Sequence, residues 1–157
     1  MEILLMTVGR TTIDFVKSGI AEYLKRLKHY IPYSILELPD VKRAGHLSAN
    51  EQKEAEGELI LGALKPTDYV ILLDEHGREY RSVEFASAIE KIMASGCKRC
   101  VFIVGGAYGF SRRVYDRTTN KISLSKMTFN HEMVRLFFTE QVYRAMTILR
   151  GEPYHHE

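Results

Sequence analysis

Tyr69-Val70-Ile71-Leu72-Leu73 and Val101-Phe102-Ile103-Val104 decide the fold. Neither run alternates apolar with polar residues, and each is too short for a buried helix. Continuous short apolar runs of this kind are strands covered on both faces, as in a parallel sheet sandwiched by helices. Working outward, three more apolar runs occur at Ile3 to Val8, Ile35 to Leu38 and Ile122 to Leu124. Helical periodicity fills the intervals. From Phe15 the apolar positions are Val16, Ile20, Tyr23, Leu24, Leu27 and Ile31, a single stripe. Ser48 with Glu51 is a capping box for a helix that ends before Pro66. Ser82 is expected to cap a third helix, with Phe85, Ile89, Ile92 and Met93 on one face and Gly96 closing it. The last helix is expected from about Asn130 to Arg150, stopped by Gly151 and Pro153. Strand and helix alternate throughout, so the chain reads as one α/β domain over residues 1–157, a mainly parallel sheet flanked by helices. Ligands of such sheets sit at the strand carboxyl ends. Pro39 to Asn50 is the expected mobile loop.

The last helix carries more apolar surface than one core needs. Val134, Phe137, Phe138, Val142, Ala145, Ile148 and Leu149 form one broad stripe, and Met133, Leu136, Tyr143 and Met146 add more around it. Either the helix is unusually enclosed or a partner subunit covers it; a homodimer is the economical partner.

Composition narrows the function classes. The chain has 157 residues, 45% of them hydrophobic, with two Cys and a net charge of +2. Disordered, collagenous and disulfide-framework classes are excluded. No apolar run approaches the ~20 residues of a membrane span, and the first residues lack the basic flank of a signal peptide. A cytoplasmic protein without a membrane partner is expected. The weak positive charge permits a nucleic-acid partner without demanding one.

Several short constellations invite chemistry. Cys97 and Cys100 have redox spacing, but they follow a helix end and lead into a strand, so core or edge thiols are expected. His131-Glu132-Met133-Val134-Arg135 is one residue short of H-E-x-x-H, so no metalloprotease site and no metal are expected. Gly105-Gly106-Ala107-Tyr108-Gly109 follows a buried strand, where glycine lets backbone turn and approach a ligand. Leu124-Ser125-Lys126-Met127-Thr128-Phe129 joins the last strand to the last helix with exposed amides, hydroxyls and apolar groups. The tail Tyr154-His155-His156 can stack on a base or move a proton, although composition alone favours a frayed terminus. Arg10, Lys17, Lys25, Arg26 and Lys28, then Arg112, Arg113 and Arg117, are solvated helix faces or an RNA surface.

These pieces, in this order, resemble one family. Val8-Gly9-Arg10, Glu22 to Leu27, and Glu37-Leu38-Pro39-Asp40 look like its first half. Val104 to Phe110, Ser123 to Phe129, His131 to Arg135, Glu140 to Ala145 and Gly151 to His155 look like its second. The family is that of RlmH, SPOUT-class methyltransferases acting on N3 of a pseudouridine in large-subunit ribosomal RNA. The resemblance implies a SPOUT fold with a carboxyl-terminal trefoil knot, S-adenosyl-L-methionine as co-substrate, and a homodimer. The implied partner is 23S rRNA on the assembled ribosome, not DNA. Carried over, Leu73, Gly105 and Leu124, Ser125, Lys126, Met127, Thr128 and Phe129 contact the co-substrate. Tyr154 and His155 face the target base, and Arg144 lies near the RNA. Arg144 and His156 are the implied substrate-binding residues, but the family commonly has Arg or Lys after the tail His, and His156 departs from that pattern of a permanent charge on the RNA phosphate. His155, His156 or a water takes the N3 proton. Two rival readings are a non-catalytic ribosome-associated RNA-binding module and a nucleotide-dependent enzyme using the glycine turn. Against the second, the sequence shows no full fingerprint and no acidic residue clearly placed for a ribose.

Overall fold

Successive side chains on a strand point to opposite faces, and here both faces are covered. In a computed structural model describing all 157 residues, five strands form one sheet: β1 (Glu2–Val8), β2 (Tyr33–Leu38), β3 (Tyr69–Glu79), β4 (Arg99–Val104) and β5 (Lys121–Ser123). Their order is β2-β1-β4-β3-β5, and every pairing is parallel. Ile3, Leu5, Ile71, Cys100, Phe102 and Val104 face a layer of α1 (Asp14–Leu27), α3 (Ser82–Ala94) and α5 (Met133–Leu149). Leu4, Met6, Val70, Leu72, Val101 and Ile103 face α2 (Ala49–Ala63) and α4 (Arg112–Arg117). The continuous apolar runs thus serve two cores, one on each side of the sheet.

Local details depart from the sequence expectation at the element ends. α3 starts at Ser82, and its first turn is closed by the Arg81 amide donating to the Glu84 carboxylate at 2.8 Å. Ser82 is therefore not the cap; its hydroxyl meets Gln141 on α5 at 3.2 Å. α5 starts three residues later than expected, because Asn130 Oδ1 accepts the Glu132 and Met133 amides at 2.9 and 3.3 Å. The six-residue α4 carries Arg112, Arg113 and Arg117 on the helix face that is one reading of them, but is too short to show a period that would fix its bounds. Inside the expected loop Pro39 to Asn50, Ala44–His46 forms a single 3₁₀ turn.

Most of the surplus apolar surface of α5 is absorbed within the chain. Leu136 packs over Gly19 of α1. Tyr143 lies 5.7 Å from Tyr23 and 5.6 Å from Tyr30, ring to ring. Met146 is buried, and Phe138 closes an aromatic cluster with Phe85 and Phe102. What remains outside is Phe137, exposed and paired with Phe129 at 5.1 Å.

Candidate active site

Because all strands run the same way, β3, β4 and β5 end on one rim of the sheet. β4 leads into Gly105 and Gly106, where the Gly109 amide donates back to the Gly106 carbonyl at 3.1 Å. Beyond this turn, Ser111 caps α4. β5 leads into a loop pinned by short-range bonds: Ser123 Oγ donates to the Ser125 carbonyl and the Met127 amide to Ser125 Oγ, both at 3.0 Å. β3 bulges after Leu73 and pairs with β5 again at Arg78 and Glu79. These three exits enclose a cavity of about 450 Å³. Leu73, Gly105 and all six residues from Leu124 to Phe129 line it. The residues expected to contact the co-substrate therefore lie around one space.

The cavity has further lining residues to which the sequence assigned no contact with a ligand. Val8, Asp40, Gln52, Glu56, Asp74 and Glu75 are among them. Four carboxylates, of Asp40, Glu56, Asp74 and Glu75, stand at this rim, though the sequence shows no acidic residue clearly placed for a ribose. Asp74 and Glu75 directly follow Leu73, and a carboxylate immediately after a strand's last apolar residue is the signal that would have found them. Asp74 accepts a hydrogen bond from the Tyr115 hydroxyl. Burial, then the Asp74 partnership, push the Tyr115 phenol up to about 12.

His131 to Arg135 holds the opposite wall. Arg135 is 1% exposed and donates to the carbonyls of Val8 and Gly9 at 3.0 and 2.9 Å and to Thr11 Oγ1 at 3.0 Å. Glu132, also buried, accepts the Thr12 and Ile13 amides at 2.5 and 2.9 Å and the Thr12 hydroxyl at 2.7 Å. The pair clamps the β1–α1 connection beside the cavity. His131 is exposed at the lip. No group of three or more His, Cys, Asp or Glu is arranged to hold a metal ion. Cys97 and Cys100 are free thiols, and burial pushes Cys100 well above the ordinary range.

The tail does not fray. Glu152 accepts from Tyr30, just past α1, and Glu157 from Arg81 at 2.6 Å, just before α3, so the terminus is tied down at both ends. Tyr154 donates to Glu140 at 2.9 Å, touches the Tyr23 hydroxyl at 3.2 Å, and has the Arg144 guanidinium 4.8 Å from its ring centre. Burial, with Tyr23 and Glu140 adding to it, raises the Tyr154 phenol far above its usual value. Arg144 reaches Glu140 at 2.5 Å and His155 Nδ1 at 3.2 Å. A guanidinium only donates, so Nδ1 accepts and the imidazole proton sits on Nε2. That Nε2 is buried without a partner. Tyr154, His155 and Arg144 thus form one cluster, while His156 is exposed beside it.

The two groups do not meet in one chain. No tail residue lines the cavity, whose last contact on α5 is Arg135. Arg144 lies two and a half turns further on, about 13 Å along the axis at 1.5 Å per residue. A larger cavity of about 660 Å³ lies between α3 and the β3–β5 edge, but none of the expected site residues lines it.

Comparison with known proteins gives a consistent result. Residues 1–155 match the family model described as "Predicted SPOUT methyltransferase". The chain is 55% identical to "Ribosomal RNA large subunit methyltransferase H" of Parabacteroides distasonis over 157 residues, the whole of both chains. It is 52% and 54% identical to proteins of the same name from Porphyromonas gingivalis and Bacteroides fragilis, again over the full length of each.

Proposed function

The chain belongs to the SPOUT methyltransferase family and is a methyltransferase; from that premise we propose that its substrate is large-subunit ribosomal RNA and its methyl donor S-adenosyl-L-methionine. The modified atom is N3 of a pseudouridine in the assembled, cytoplasmic ribosome. The observation that carries the reading is the rim cavity, because Leu73, Gly105 and Leu124 to Phe129 converge on it. Its chemistry suits the donor: exposed loop amides and apolar walls for an adenine, and carboxylates for cationic groups. The family's trefoil knot is part of the same reading. In its support, the loops after β4 and β5 surround one space, while α4 and α5 lie in opposite layers.

S-adenosyl-L-methionine, when bound, supplies a methyl group on a positively charged sulfur. This chain's residues must align the acceptor with it and let the N3 proton leave. Tyr154 stays a phenol and a hydrogen-bond donor, so it orients the base rather than deprotonating it. His155, with Nδ1 held by Arg144, offers Nε2–H to a base carbonyl. The N3 proton then passes to a water or to His156, which is exposed and has no competing partner.

The separation of tail and cavity gives the homodimer a chemical purpose: a second copy brings its tail to this cavity. Exposed Met127 and Phe129 at the lip, with Phe137 beside them, are apolar surface for such a contact. Calorimetry with S-adenosyl-L-methionine and radiolabelled transfer to ribosomes lacking the modification, followed by mapping of the nucleotide, test the reading. His155→Ala is expected to keep donor binding and lose about 100-fold or more in transfer, the scale of one preorganised hydrogen-bond donor; wild-type turnover would sink the tail's role. A wild-type protein that binds ribosomes but no donor would instead favour the non-catalytic module.

A further inference from the structure

We propose that Glu56 is the counter-charge for the cationic methionine end of the methyl donor, and so determines that the cavity takes the charged donor rather than a neutral adenosine thioether. This rests on the reading of the rim cavity as the donor site.

Glu56 lies on α2 and is 5% exposed. Its Oε1 accepts from Gln52 Nε2 at 3.1 Å, but Oε2 is buried with no partner. A buried carboxylate oxygen left unpaired carries an uncompensated desolvation penalty. The carboxylate presses on the glycine turn: a Cβ at Gly106 would lie 2.2 Å from Oε2 and 2.6 Å from Oε1. Position 106 is thus glycine because any side chain would drive the carboxylate away. Both residues line the cavity, so Glu56 with its unpaired oxygen against Gly106 belongs to the cavity wall.

Neighbouring charges leave this role to Glu56. Asp40 and Glu75 are exposed, and Asp74 already accepts from Tyr115. On the cationic side, Arg135 is committed to backbone carbonyls and Lys126 leans toward Glu79 at 3.9 Å. The unpaired acceptor therefore awaits a cation from the ligand. The donor has two, an α-ammonium and a sulfonium, whereas 5′-methylthioadenosine has neither.

The test is calorimetry on the full-length protein with S-adenosyl-L-methionine, S-adenosylhomocysteine and 5′-methylthioadenosine, comparing wild type with Glu56→Gln. The variant should weaken S-adenosyl-L-methionine about tenfold or more, the scale of a charge-assisted contact, and leave 5′-methylthioadenosine within about twofold. S-adenosylhomocysteine separates the two cations: equal weakening assigns the ammonium, and no weakening assigns the sulfonium. Unchanged donor affinity, or equal loss for the neutral thioether, overturns the inference while leaving the donor site intact. Failure of the wild type to bind the donor overturns both. Should Glu56→Gln not fold, Glu56→Asp, which keeps the charge, is read by the same affinity ratio. It should stay within about threefold of wild type, and collapse of the ratio to that of a charge-blind pocket rejects the assignment.

Discussion

At the scale of single residues, Glu132 shows how a carboxylate becomes structural. The Ile13 amide is the strongest influence holding it down; burial opposes this, and the Thr12 hydroxyl and amide and the Arg135 charge reinforce it. The net result is a carboxyl at about 2 instead of 4.5. A depressed folded-state value means stability that is fully present above the unfolded value and lost as pH falls from about 4.5 toward about 2. Denaturant unfolding at pH 4.5 and 2.5 should therefore show a smaller acid loss in Glu132→Gln than in wild type. Identical losses would mean the clamp contributes no pH dependence. Sequence alone presents Glu132 and Arg135 as a failed metal motif. Their true partner, the β1–α1 connection, lies 119 to 127 residues away, a distance across which local pattern is blind. The tail has the same history: its composition favours fraying, and its partners Tyr23, Tyr30, Arg81, Glu140 and Arg144 come from segments that only the fold brings alongside.

Among the elements, β3 is the least obvious and the most consequential. Its apolar start was legible, but Asp74-Glu75-His76-Gly77 has the composition of a loop, so its renewed pairing at Arg78 and Glu79 was not. Gly77 permits that return. A Cβ there would sit 2.6 Å from backbone atoms of Ile122, with no flexible side chain to yield. Gly77→Ala should thus push β5 off β3, costing about 1–3 kcal/mol as overpacking does, and displace the loop from Leu124 to Phe129. Thermal unfolding together with donor titration checks this: affinity should fall at least severalfold while the β1–β4 core stays folded. A lowered melting point with unaltered affinity would show that β5 does not position that wall. The strands and long helices were legible because both faces of the sheet are buried and the helices keep one stripe. α4 was not, because six residues spend their chemistry on a cap and two ion pairs, Arg112 with Asp116 and Arg113 with Glu58.

For the whole molecule, a net charge of +2 is small for an RNA enzyme, and part of it is already committed. Arg112 and Arg113 are paired, and Arg117 donates to the carbonyls of Lys65 and Asp68. Arg10, Lys17, Lys25 and Lys28 remain exposed on α1 and just beyond its two ends without ion-pair partners. Few phosphate contacts mean weak, salt-sensitive binding to free RNA, so methylation of naked rRNA should be markedly slower than that of ribosomes at equal ionic strength. Equal rates would remove the need for the assembled particle. The strand order also sets a timetable for synthesis. β1 must wait for β4, which begins at Arg99, and at roughly 5–20 residues per second that delay is about 5–20 s. Throughout it, the apolar inner edge of β1 has no neighbour, an invitation to chaperones. The cavity is completed later still, by the loop after β5 and the first turn of α5. Donor binding is thus a signal that synthesis has passed Arg135, the last residue of the cavity wall.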